Sequence, residues 1–248
     1  MTEAGFQWIS AHRTSTGRVR SVNEDACLDW PEHGIWVVAD GMGGHTAGDL
    51  ASQMIVDTLK GMEAAESLGQ LAGDVERNLQ QVNRRLIREG QRRGGKIIGS
   101  TIVALLARGP ACAYLWAGDS RIYLYRRGTL RQLSRDHSQL EELIEQGILS
   151  TAQAENNPIA NLITRAVGAD DGLEVDTEIF EPLHKDLFLL CSDGLNKEIS
   201  DEEIAGFLGR YSLNQAIDEL MTLALERGAR DNVTIVLVQA LFSPTLSE

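Results

Sequence analysis

Five acidic segments of this 248-residue chain fall where an apolar run starts or stops. Trp36-Val37-Val38-Ala39 gives way to Asp40-Gly41-Met42-Gly43-Gly44, and Tyr114-Leu115-Trp116-Ala117 to Gly118-Asp119-Ser120-Arg121. Phe188-Leu189-Leu190-Cys191 ends in Ser192-Asp193-Gly194, Asp231-Asn232 opens Val233-Thr234-Ile235-Val236, and Glu24-Asp25 precedes a short apolar stretch. An Asp before Gly or Asn is ordinary turn chemistry, because its side chain bonds the local backbone. That reading suffices for any one segment. Taken together, strand ends that share a sheet system can converge and crowd several carboxylates at one edge. Close like charges cannot all stay ionised unless cations offset them. Carboxylate oxygens, a glycine carbonyl and water suit Mg2+ or Mn2+ better than zinc or copper. The histidines, at 12, 33, 45, 137 and 184, lack HxxxH or HxH spacing, which speaks against zinc.

The elements that must position these residues are legible as periodicities. Helical stripes run through 47–59 (Ala47, Leu50, Ala51, Met54, Ile55, Leu59), 68–86 (Leu68, Leu71, Val75, Leu79, Val82, Leu86) and 213–224 (Leu213, Ala216, Ile217, Leu220, Leu223, Ala224). Strands are predicted at Ile35–Ala39, Ser100–Ala107, Ala111–Ala117, Ile122–Tyr125, Asp186–Cys191 and Val233–Leu241. Arg108-Gly109-Pro110 and Arg126-Arg127-Gly128-Thr129 read as hairpin turns. Strands beside strands, with helices in separate blocks, indicate an α+β layered fold rather than a doubly wound one. Residues 137–168 are more polar and irregular, with a short helical piece near Leu140–Gln146, and read as an excursion from the core. No Pro-, Ser- or charge-rich linker interrupts the chain, so one domain is expected.

With 23 basic and 36 acidic residues the net charge is −13. Such a surface repels nucleic acid and anionic lipid, leaving neither as an expected partner. An anionic substrate would then need bound cations or a placed arginine. Cys27, Cys112 and Cys191 build neither a disulfide framework nor a CxxC metal site. The N-terminal MTEAGFQWISAHR lacks signal-peptide order and no apolar run approaches 18 residues, so a cytoplasmic protein is expected.

The ordered set Arg20-Ser21-Val22-Asn23-Glu24-Asp25, Asp40-Gly41-Met42-Gly43-Gly44, Gly99-Ser100-Thr101, Gly118-Asp119-Ser120-Arg121, Ser192-Asp193-Gly194 and Asp231-Asn232-Val233-Thr234 resembles the bacterial branch of the metal-dependent protein phosphatases, the protein phosphatase 2C family. The resemblance covers about residues 10 to 240. It implies two stacked antiparallel β-sheets flanked by helices, with two Mn2+ or Mg2+ ions at one end and hydrolysis of phosphoserine and phosphothreonine in proteins. By the same resemblance Asp40 bridges the two ions, Asp193 and Asp231 bind one, and Gly41 offers its carbonyl to the other. Glu24 and Asp25 hold its waters, and Asp119 with Asp193 binds a weaker third ion. Arg20 matches the phosphate-binding arginine, a role for which its planar fork suits it better than a lysine. The stretch 137–168 matches the flap. A partner serine/threonine kinase in a bacterium, one controlling a secretion system among the candidates, and a monomeric state are further expectations. Met42 stands where animal members carry a histidine proposed as general acid. His45 is nearby, but water is the preferred proton donor.

Two rival chemistries fail on spacing. A cysteine-based phosphatase needs Arg six residues after Cys, and Cys27, Cys112 and Cys191 have His33, Gly118 and Lys197 there. Gly90-Gln91-Arg92-Arg93-Gly94-Gly95-Lys96-Ile97 approaches a phosphate-binding loop, but Ile97 replaces the hydroxyl residue and no strand leads into it. It reads as a basic, flexible connection. The remaining alternative is a catalytically silent regulator that binds a partner protein. Such proteins lose metal ligands, whereas every expected carboxylate is present here.

Overall fold

A computed structural model describes residues 5–43, 47–150 and 162–243. The strands are β1 (Gly5–Ser15), β2 (Asp25–Trp30), β3 (Ile35–Met42), β4 (Gly99–Ser100), β5 (Ile102–Arg108), β6 (Ala111–Ala117), β7 (Arg121–Arg126), β8 (Thr129–Gln132), β9 (Asp176–Phe180), β10 (Leu187–Cys191) and β11 (Val233–Ser243). The helices are α1 (Gly48–Lys60), α2 (Leu68–Arg92), α3 (Gln139–Glu145), α4 (Asp193–Asn196), α5 (Asp201–Arg210) and α6 (Leu213–Glu226). One sheet has the order β1-β11-β10-β7-β8. The other runs β2-β3-β5-β6-β9, with β4 added beside β3, and the pairings given for both are antiparallel.

Strand alternation builds three layers of core. Trp36 and Val38 of β3 face Phe188, Leu190, Val236 and Val238 between the sheets, while Ile35, Val37 and Ala39 join the stripes of α1 and α2 on the outer face. On the opposite face α5 and α6 bury Ile204, Leu208, Ile217 and Leu220 against Leu189, Ile235 and Leu237. The result is a helix–sheet–sheet–helix sandwich, the α+β class expected from the element order.

The predicted hairpins form. Arg127 and Gly128 both take positive φ, 52° and 86°, as a two-residue turn of the primed type requires. Several boundaries shift. β3 continues through Asp40 to Met42, so Asp40 lies within a strand, not after one. Ser100–Ala107 divides at Thr101 into β4 and β5. α2 runs on to Arg92, so the first three residues of the 90–97 stretch are helical rather than a flexible connection. Arg20 and Glu24 do not form a helix ion pair, because 16–24 is turn and irregular chain. Within 137–168, α3 forms, the bridge Ser138↔Ile163 joins the two limbs of the excursion, and the bridge Ser100↔Val167 and the His137 N–H donating to the Gly118 carbonyl tie its ends to the body. Residues 151–161, and His45 in the segment 44–46, lie outside the described residues.

Candidate active site

The register of β2 and β3 sets Asp25 directly opposite Asp40. Like charges facing each other across a ladder destabilise a sheet, so this arrangement asks for an explanation beyond folding. The backbone of Asp40 is fixed by Thr101. Its N–H donates to Thr101 Oγ1 at 3.1 Å, and the Thr101 N–H donates to its carbonyl at 2.9 Å. Thr101 Oγ1 also shares a 2.7 Å hydrogen bond with Ser120 Oγ, beside Asp119. Thus one hydroxyl at the β4–β5 break ties the end of β3 that bears Asp40 to the loop that bears Asp119.

The second sheet brings the rest. Ser192, following β10, donates from Oγ to Asp25 Oδ2 at 2.7 Å and accepts the Thr234 N–H at 3.0 Å. The next residue, Asp193, opens α4. At the mouth of β11, Arg20 Nη2 donates to Asp231 Oδ2 at 2.9 Å. Asn232 holds the Arg20 segment: its side-chain oxygen accepts the Glu24 N–H at 2.8 Å, and its amide donates to the carbonyls of Thr16 and Val22.

The carboxylates lie in one another's electrostatic field. Burial, then the charges of Asp25, Asp193, Asp119 and Asp231, push Asp40 well above the usual carboxylate range. Asp25 rises to about 7, first from burial and then against the Ser192 and Thr234 hydrogen bonds, with Asp193 and Asp231 adding repulsion. Asp119 also rises to about 7 through burial and the charges of Asp193 and Asp136. Two cationic side chains reach in. Arg20 is raised chiefly by its Asp231 hydrogen bond. Lys197, one helical turn from Asp193, pairs with it; burial lowers its affinity for a proton, but the charges of Asp193, Asp119 and Asp231 outweigh that.

Asp25 Oδ1 and Asp193 Oδ1 are buried without a hydrogen-bond partner. Orphaned carboxylate oxygens in an oxygen-only donor set fit a hard divalent cation. Among the described residues no three carboxylate, histidine or cysteine side chains already stand as a ready-made ligand cluster. The physical reason lies in the partners: Asp193 is turned to Lys197 and Asp231 to Arg20.

Gly41 is required by close approach. Its N–H donates to the Glu24 carbonyl at 3.1 Å, and Glu24 Oε1 accepts the Gly48 N–H at 3.2 Å. A Cβ at 41 would lie 2.0 Å from the Gly48 carbonyl oxygen and 2.6 Å from that of Glu24. Gly41→Ala is therefore expected to cost at least the roughly 1–3 kcal/mol typical of overpacking, read as a lower urea midpoint. A midpoint equal to that of the parent would contradict this packing.

Arg20, Glu24, Asp25, Asp40, Gly41, Asp119, Asp193 and Asp231 stand together at this end of the sandwich, whereas His45 is outside the described residues. Sequence reasoning assigned no role to Thr101, Ser192, Asn232 or Lys197, and missed His137. His137 Nδ1 accepts the Gly118 N–H at 3.2 Å, leaving Nε2 to donate to Asp176 Oδ2 at 3.2 Å. Burial lowers its pKa, so it is a neutral brace between the Asp119 loop and the start of the excursion. Cys191 is fully buried and its pKa is pushed upward by that burial, so it serves as core.

A two-sheet sandwich with carboxylates of both sheets gathered at one end suits a hard divalent cation. Comparison with known proteins is specific. Residues 14–238 match the family described as Protein phosphatase 2C. The serine/threonine phosphatase stp of Listeria welshimeri is 36% identical over 236 residues, covering 92% of this chain and 94% of that protein. PppA, described as a key regulatory component of T6SS in Pseudomonas aeruginosa, is 46% identical with a TM-score of 0.89, covering 96% of this chain and 100% of that one. The catalytic domain of the serine threonine protein phosphatase PstP, solved in complex with 2 manganese ions, is 31% identical with a TM-score of 0.85, covering 95% and 99%.

The chain belongs to the protein phosphatase 2C family. It is a metal-dependent hydrolase that acts on phosphoserine and phosphothreonine in proteins, and the silent-regulator alternative is not favoured.

Proposed function

We propose that Asp40, Gly41, Asp193 and Asp231 hold two Mn2+ or Mg2+ ions, with Glu24 and Asp25 acting through water and Asp119 with Asp193 forming a weaker third position. Bound there, paired ions would supply an activated water and neutralise charge on the phosphoryl oxygens. The chain's own residues do the rest. Thr101 and Ser192 fix the backbone of Asp40 and the carboxyl of Asp25, and Arg20 clamps the phosphate through its fork. The observation that carries the reading is the convergence of Asp25, Asp40, Asp119, Asp193 and Asp231 from both sheets into one mutual field, with two carboxylate oxygens orphaned.

Residues 1–248 act as a single catalytic domain with a flap at about 137–168. The enzyme works as a cytoplasmic monomer that reverses a bacterial serine/threonine kinase, without nucleic-acid or membrane partners. No helix among the described residues is long and apolar enough to cross a membrane, and the likeness to PppA supports a secretion-system setting.

The test is Mn2+-dependent turnover of a phosphothreonine peptide by Arg20→Ala. Arg20 binds phosphate in ground and transition states alike, so KM should rise roughly tenfold with kcat little changed. A large fall in kcat at constant KM would remove Arg20 from this role.

A further inference from the structure

α2 carries a concentration of positive charge at odds with the rest of the chain. Residues 84–96 hold six of the 23 basic residues (Arg84, Arg85, Arg88, Arg92, Arg93 and Lys96) and one of the 36 acidic ones, Glu89. All six basic residues are exposed. Arg85, Arg88 and Arg92, spaced by three and four, share one helix face. With Arg93 and Glu89 they line a groove whose other wall is Leu50 and Met54 of α1. Glu89 pairs with Arg92 at 3.7 Å and Arg93 at 2.8 Å, while Arg84, Arg85, Arg88 and Lys96 have no ion-pair partner among the described residues.

The groove leads toward the acidic pocket. Beyond α2 the chain passes Ile97, 61% exposed, and enters β4, whose Gly99 and Ser100 pair with Met42 and Gly41. A Cβ on Gly43 would come within 3.1 Å of the Ile97 carbonyl oxygen. The basic strip of α2, with Lys96 and the unpaired Arg84, Arg85 and Arg88, is therefore continuous in sequence with the strand that pairs beside Gly41. On a chain with a net charge of −13, acidic polypeptide is best accommodated on a locally basic strip such as this.

We propose that the α1–α2 groove is a docking site for acidic polypeptide flanking the phosphorylated residue, with Arg85, Arg88 and Arg92 as its cations and Leu50 and Met54 as its apolar floor. This rests on the phosphatase reading above and adds the substrate class that the enzyme prefers. The strip steers and holds the substrate, and takes no part in phosphoryl transfer. Its contribution is electrostatic and so fades with salt.

The experiment compares the parent with R85E/R88E/R92E on three substrates in Mn2+: a phosphothreonine peptide with Glu/Asp-rich flanks, the same peptide with neutral flanks, and p-nitrophenyl phosphate. Exposed arginines tolerate substitution with little effect on folding. The variant should show a KM for the acidic peptide raised roughly tenfold, with kcat and the other two substrates unchanged. The parent's preference for the acidic peptide should shrink between about 50 and 300 mM salt, as the Debye length shortens. R85K/R88K/R92K, which keeps the charge, should retain the preference. Equal KM values for the two peptides in the parent would overturn the proposal, as would an equal loss on p-nitrophenyl phosphate in the reversed variant. Failure of the parent on all three substrates would instead count against the phosphatase reading itself.

Discussion

Asp193→Asn and Asp40→Asn should each abolish Mn2+-dependent turnover while leaving the fold intact. Losing a partner that merely orients a metal ligand already costs roughly 10- to 100-fold in affinity or activity, so losing a ligand oxygen should exceed that. The fold survives because the substitutions remove charge from a self-repelling group. Asp40 lies in the field of four other carboxylates, and Asn there relieves that repulsion. Asn at 193 gives up the charge of the pair with the 40% exposed Lys197, which costs on the order of 1 kcal/mol. Calorimetry should find weakened Mn2+ binding in both variants, with melting temperatures at or above that of the metal-free parent. Unchanged Mn2+ binding in both would show the ligand assignment to be wrong.

The second large effect is a pH dependence that metal abolishes. Without metal, Asp25 and Asp119 in the native chain hold their protons up to about pH 7, whereas the unfolded chain releases them near 4. Between those limits the native state binds more protons than the unfolded state. Stability must then fall as pH rises, by up to about 1.4 kcal/mol per pH unit for each proton retained. Divalent cation favours the ionised carboxylates and pulls their pKa values below those of the unfolded chain, so with saturating Mn2+ stability should stay nearly level over the same window. At pH 8 the two conditions should differ most, since ligand at 100 times its Kd contributes about 2.7 kcal/mol. Urea midpoints from pH 5 to 8, with Mn2+ and with EDTA, measure both slopes. Parallel curves would exclude carboxylates as the coupled groups.

The site was more legible in the sequence than the frame around it. Asp40, Asp119 and Asp193 announce themselves because each follows an apolar run, and the outer helices because their stripes cover a sheet. β1 was missed although it spans Gly5–Ser15, because as an edge strand paired only with β11 it buries one residue, Ala11, and reads as mixed polar chain. β2 was hidden by Asp25, Cys27 and Asp29 within six residues. α5 was overlooked despite a usable signal: Ser200 and Glu203 form a capping box ahead of Ile204 and Leu208. Lys197 could not be found, since its spacing of four from Asp193 matters only once that stretch is known to be helical. The β1–β11 pairing, which joins the two ends of the chain, is a long-range choice that no local pattern encodes.

Asn232 has a consequence for how such an enzyme can diversify. A single amide clamps Glu24, Thr16 and Val22 to the start of β11, so the arginine segment and the strand bearing Asp231 behave as one rigid jaw. Tuning selectivity by reshaping that jaw would disturb the chemistry in the same stroke. Variation is free to accumulate only at a remove from it, on outer helix faces and peripheral loops, where a new preference leaves the reaction untouched.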